Sequence, residues 1–199
     1  MSNARFSVCT LAFGALLATG SVATAAVVYD EGATGDLSGA FASPTSITVT
    51  VSGSTVSPNT VVGQTGNNGN SGATNSSDAD YFEFTLGPGQ SADALTVDSY
   101  AQSGGSAGNR SFIAYSATPF TGQGFGDIDG NTLFNGASGD LFDTSLIPGT
   151  TLGPGTHRFW IQETANFTVD YQLTFNVVPE PTTAGLIGLG LFGVLRRRA

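Results

Sequence analysis

Between residues 169 and 177 apolar side chains occupy every second position: Val169, Tyr171, Leu173, Phe175 and Val177, with Asp170, Gln172, Thr174 and Asn176 between them. A period of two puts one set on each face of an extended chain, whereas a helix would scatter both sets around its axis. The segment is therefore a strand with one dry face, and a dry face needs a second layer to cover it. The pattern recurs at Ile47, Val49 and Val51, at Phe82, Phe84 and Leu86, and at Leu95 and Val97 up to Tyr100. Phe112, Ile113 and Tyr115 add another apolar segment, and Phe159 and Ile161 share a face opposite Arg158, Trp160 and Gln162. No window between 27 and 178 has a helical period. The expected fold is all-β: an antiparallel, jelly-roll-like β-sandwich, with helices only in an N-terminal signal segment and a C-terminal hydrophobic segment.

Two low-complexity stretches separate these strands. Residues 53–77, which include Gly66-Asn67-Asn68-Gly69-Asn70-Ser71-Gly72, read as a long mobile loop. Residues 117–156 are also glycine-rich but carry Phe120, Phe125, Leu133, Phe134, Leu141, Phe142, Leu146 and Ile147. That much apolar material should pack as irregular structure or short edge strands.

Residues 1–25 have the build of a secretory signal: Arg5, an apolar run from Cys9 to Leu17, and small residues at Ala23-Thr24-Ala25. Cys9 is the sole cysteine, so removal of this segment leaves no thiol for disulfides, metal ligation or nucleophilic chemistry. Residues 26–178 make one domain's length of chain. Without Arg5, Glu180 and the terminal Arg196, Arg197 and Arg198, the chain has 14 acids against two bases, a net charge of −12, and no lysine. Such a field repels nucleic acid and anionic surfaces and favours divalent cations.

Residues 179–199 have a different logic. Pro179-Glu180-Pro181 is polar and extended, since each proline restricts both itself and its predecessor. An apolar run from Ala184 to Leu195 follows, then the three arginines, which stay on the cytoplasmic side of a membrane. As a helix, Thr182–Leu195 spans only about 21 Å of a ~30 Å hydrocarbon core. The run therefore reads either as a weak, transient membrane span, extended by snorkelling arginines, or as a buried terminal helix. In order and position the segment resembles the PEP-CTERM sorting signal of Gram-negative bacteria. The resemblance implies that an exosortase-type membrane protease recognises Pro179, Glu180 and Pro181 and removes the tail. It also implies that Arg196, Arg197 and Arg198 anchor the precursor transiently in the inner membrane, before delivery to the cell surface or an exopolysaccharide matrix.

A second resemblance lies in the domain. Asp78-Ala79-Asp80-Tyr81-Phe82-Glu83-Phe84-Thr85-Leu86 with Gly89-Gln90 looks like the start of a bacterial pre-peptidase C-terminal-type domain. Gly155-Thr156-His157-Arg158-Phe159-Trp160-Ile161 and Asp170-Tyr171-Gln172-Leu173-Thr174-Phe175 look like its final strands. That family implies a secreted, non-catalytic β-sandwich linked to polysaccharide or protein binding.

Candidate chemistry is sparse. Gly104-Gly105-Ser106-Ala107-Gly108 matches a nucleophile-elbow pattern, with Asp127 or Asp129 and then His157 following in hydrolase order. The elbow needs a strand before it and a helix after it, however, and a Gly/Ser-rich chain yields the pattern by chance. His157 reads as a surface polar residue at a strand start. Trp160 either stacks on a sugar ring, which makes the domain a carbohydrate-binding module, or packs beneath residues 117–156. Asp127, Asp129 and Asn131 place oxygen ligands at the alternating spacing of a calcium loop, although the glycine and the final acid are out of place. Solvated turn carboxylates give the same pattern, as they do for the pair Asp78 and Asp80. The reading is a secreted, non-enzymatic surface or matrix protein whose one candidate cofactor is calcium.

Overall fold

Most alternating segments become strands in the computed structural model, which describes residues 24–52, 55–67, 77–106, 108–122, 124–136, 139–147, 149, 151–163 and 165–179. In chain order the elements are β1 (Ala26–Asp30), the single-turn α1 (Glu31–Thr34), β2 (Thr45–Ile47), β3 (Ser57–Asn67) and β4 (Ser77–Asp78). There follow β5 (Asp80–Leu86), β6 (Gln90–Ser103), β7 (Ser111–Ser116), β8 (Gly130–Phe134), β9 (Gly155–Glu163) and β10 (Thr168–Pro179). They form two five-stranded sheets, one ordered β1-β3-β10-β6 with β4 beside β3, the other β2-β5-β9-β7-β8. The expected N-terminal signal helix and C-terminal hydrophobic helix lie outside the described residues.

The sheets are mixed, which corrects the antiparallel expectation. β1 runs parallel to β3 and β2 parallel to β5, each at a sheet edge. Both are short, and chain proximity does not dictate their direction, because neither joins its partner through a hairpin. A second correction concerns residues 53–77. Of these, 57–67 form β3, whose ten-pair ladder with β10 makes it an interior strand. Gly63 and Gly66 hid it. A Cβ at Gly63 would lie 2.4 Å from Tyr171 Oη, so the glycine makes room for a phenol lying across β3. The alternation at Ile47, Val49 and Val51 is strand only as far as Ile47. Beyond it the Asn59 side chain takes the place of a neighbouring strand, accepting from Thr50 N at 2.6 Å and donating to Thr50 O at 3.0 Å.

Phe82, Phe84, Leu173 and Phe175 belong to one core between the sheets, none more than 2% exposed. Phe159 of β9 stacks on both Phe82 and Phe84, and Phe175 of β10 meets Phe84 edge-on at 4.9 Å and Phe159 at 5.0 Å. The opposite face of the second sheet is also covered. Phe120 and the partly buried Phe41 and Ile128 pack on Tyr81, Phe112 and Trp160 there. Residues 117–156 thus fold down as irregular cover plus the edge strand β8, with Phe134, Leu141, Phe142, Leu146 and Ile147 in the main core. Phe125 and Leu133 remain exposed.

Candidate functional site

The predicted sorting segment starts inside the fold. β10 lies between β3 and β6, and its last residues Val177, Val178 and Pro179 pair with Ala92, Ser91 and Gln90 of β6. β3 ends opposite Val177, at Ser57. Pro179, which opens Pro179-Glu180-Pro181, is the last described residue of β10 and has no N–H to offer the ladder. Val177 is fully buried and Pro179 half-buried. Glu180, Pro181, the apolar run and Arg196, Arg197 and Arg198 lie outside the described residues. Among the described residues no helix is long and apolar enough to cross a membrane.

The residues of the expected calcium loop each have a protein partner. Asp127 closes a 3-10 turn (Phe125–Asp127), and both its carboxylate oxygens lie 2.8 Å from the Thr121 hydroxyl. Asp129 Oδ2 accepts from Ala117 N at 2.8 Å. Asn131 sits in β8, where its N donates to Ser145 O and its O accepts from Ser145 Oγ. Gly130 is there for packing: a Cβ would lie 2.2 Å from Leu146 O. These residues fasten the 117–147 segment at three separate points.

His157 is buried, 6% exposed, which corrects the surface position expected of it. It shares strand parity with Phe159 and Ile161, so it faces the core at the rim, stacked on Tyr115 and tilted against Phe84. Its Nε2 lies 2.8 Å from Gly153 O, which can only accept, so Nε2 carries the proton and Nδ1 accepts from Tyr115 Oη at 3.0 Å. Burial, with the Arg158 charge adding to it, lowers the imidazole pKa against the pull of the Gly153 carbonyl, which keeps the ring neutral. His157, Tyr115, Asp129 and Leu152 line an open cleft of ≈ 230 Å³. Ser106 precedes the end of β7 where Ser111 pairs with Glu163, whereas His157 lies beyond the other end, where Ser116 pairs with Arg158. The fold therefore holds the serine and the histidine at opposite ends of the sheet.

Trp160 is 3% exposed. It stacks on Tyr81 at 5.6 Å and meets Phe112 and Phe120 edge-on, beneath the irregular segment. It has no open face for a sugar, so the feature that pointed to carbohydrate binding is a packing residue.

Two acids lie inward: Glu163, which the sequence did not single out, and Asp80, whose burial corrects the reading of a solvated turn carboxylate. Glu163, 1% exposed, accepts from Ser111 Oγ at 2.5 Å, and burial pushes its pKa to about 7 against that hydrogen bond. Asp80, fully buried, accepts from Tyr171 Oη at 2.7 Å. Both share the parity of apolar neighbours, Ile161 and Phe159 for Glu163, Phe82 and Phe84 for Asp80, and that is the signal that could have found them.

No curated protein and no solved structure matches the chain. Residues 177–199 match the family model of the PEP-CTERM protein-sorting motif, a stretch that overlaps the last three residues of β10.

Proposed function

We propose that this protein is an exported β-sandwich that an exosortase-type membrane protease processes at its C-terminal tail. In this reading it serves at the cell surface, or in the exopolysaccharide matrix, as a structural or adhesive component and not as a catalyst. The observation that carries the reading is the continuity of β10 with the matched motif. Among the described residues the last fully buried core side chain is Val177, which is also the first residue of the matched stretch, so no spacer separates the two. A cut on the tail side of Pro179 removes the apolar run and the arginines yet leaves every described strand intact. Support for the non-catalytic role comes from His157, whose two ring nitrogens are both engaged in holding the rim of the sandwich. A strongly acidic domain stays soluble and dispersed in an aqueous matrix.

Intact-mass measurement of the protein recovered from envelope and medium tests the reading. The expected mature form lacks residues 182–199, and Glu180→Ala accumulates as a full-length, membrane-associated precursor. A surface form that retains the terminal arginines would overturn it.

A further inference from the structure

The segment after β1 folds around one carboxylate. Glu31 Oε1 accepts from Leu37 N at 2.9 Å, and its Oε2 accepts from Gln64 N of β3 at 2.5 Å. Gly35, at φ +105°, turns the chain so that Asp36 stands beside it, and the Tyr29 hydroxyl donates to Gly35 O at 2.8 Å. Facing them is Asp80, the first residue of β5, on the core-facing side of the strand. One carboxylate oxygen from each of Glu31, Asp36 and Asp80 lies within 4.8 Å of the other two.

Asp80 makes this more than a crowd of acids. It is 0% exposed, and while Oδ2 is held by Tyr171, Oδ1 has no hydrogen-bond partner. A buried carboxylate oxygen without a partner is costly, and a charged one more so. The charges acting on Asp80 aggravate this, for they are Glu31, Asp78 and Asp36, all acids. Burial first, then these neighbours, push its carboxyl well above the usual range, and burial with Asp36 raises Asp78 to about 6. Three acids, Glu31, Asp36 and Asp78, thus act on a buried carboxylate that keeps one oxygen without a partner. Calcium binds carboxylate oxygens at 2.3–2.6 Å, so two ligands of one ion lie no more than about 5 Å apart, which is the spread seen here. Tyr171 and Glu31's backbone donors already orient two of the three ligands.

We propose that Glu31, Asp36 and Asp80 form a calcium site, with Asp78 adding negative charge beside it, and that the ion pins the segment after β1 to the start of β5. The site is independent of the tail, and it is distinct from Asp127, Asp129 and Asn131.

Terbium, a luminescent calcium substitute, is the direct probe, because the phenols of Tyr29 and Tyr171 both reach the site and can sensitise its emission. With the exported protein, tyrosine-excited terbium emission is expected to appear and to be displaced by millimolar calcium. The affinity should be on the order of 10⁻⁴ M, in the range of extracellular modules. Calcium should also raise Tm by a few degrees over chelator. Asp36→Asn, at an exposed position, and Asp80→Asn, which keeps its shape and can keep its bond to Tyr171, should melt in chelator at or above the wild-type Tm. Both should lose the calcium response, while Asp127→Asn keeps it. A wild-type protein without emission or Tm response overturns the proposal. So does a response that survives Asp36→Asn and Asp80→Asn, or one abolished by Asp127→Asn.

Discussion

Glu163 occupies a core-facing position at the end of β9, where alternation calls for an apolar side chain, and its burial has a consequence in pH. Its pKa in the fold is about 7 against an ordinary 4.5, so between those values the folded chain holds a proton that the unfolded chain has released. The stability from this group is fully present below the unfolded value and is lost as pH rises through about 7. In calcium-free buffer the melting temperature should therefore fall between about pH 5 and pH 7.5, and Glu163→Gln should remove part of that slope. Parallel slopes for the two proteins in thermal unfolding would show that Glu163 does not titrate in this window. Glu163, Asp80 and His157 were partly legible in the chain, since each shares parity with neighbouring core residues. Their partners were not. Ser111, Tyr171 and Tyr115 reach them from other strands, and nothing local in sequence announces a contact across 42 to 91 residues.

Strands with large apolar residues at alternate positions, β5, β9 and β10, could be read directly, because period-2 burial is a property of the local chain. β3 could not. Its sequence, Ser57-Pro58-Asn59-Thr60-Val61-Val62-Gly63-Gln64-Thr65-Gly66-Asn67, spends two positions on glycines that yield space to Tyr171 and Thr168. Its place in the sheet comes from neighbours on both sides, β1 and β10, and the edge pairings of β1 and β2 are equally non-local. Three of the legible strands meet at Phe84, where β5, β9 and β10 bring together Phe84, Phe159 and Phe175. Phe84→Ala removes the side chain that touches both others, and denaturant unfolding should show a loss of about 3–5 kcal/mol. A loss under about 1 kcal/mol would mean that the two sheets do not bear on each other at this point.

For the whole molecule, the proposed reading has the terminal charges set how long the precursor stays in the membrane. The apolar run is short for a bilayer, and positive charge on the cytoplasmic side is what opposes its passage. Replacing Arg196, Arg197 and Arg198 together with neutral residues should let unprocessed chain escape from the inner membrane, seen on fractionation as precursor in the soluble exported pool. Retention equal to wild type would place the anchor elsewhere. The position of β10 bears on the same passage. It is the last described strand of the chain, yet it sits between β3 and β6, which have no direct contact with each other in the sheet. In the proposed reading, a chain exported N-terminus first would leave the facing edges of β3 and β6 without β10 until residues 168–179 have crossed. Pairing of β10 with both strands would then hold its twelve residues on the far side. In that reading closure of the sandwich would act as a ratchet on export, driven by the last strand to cross.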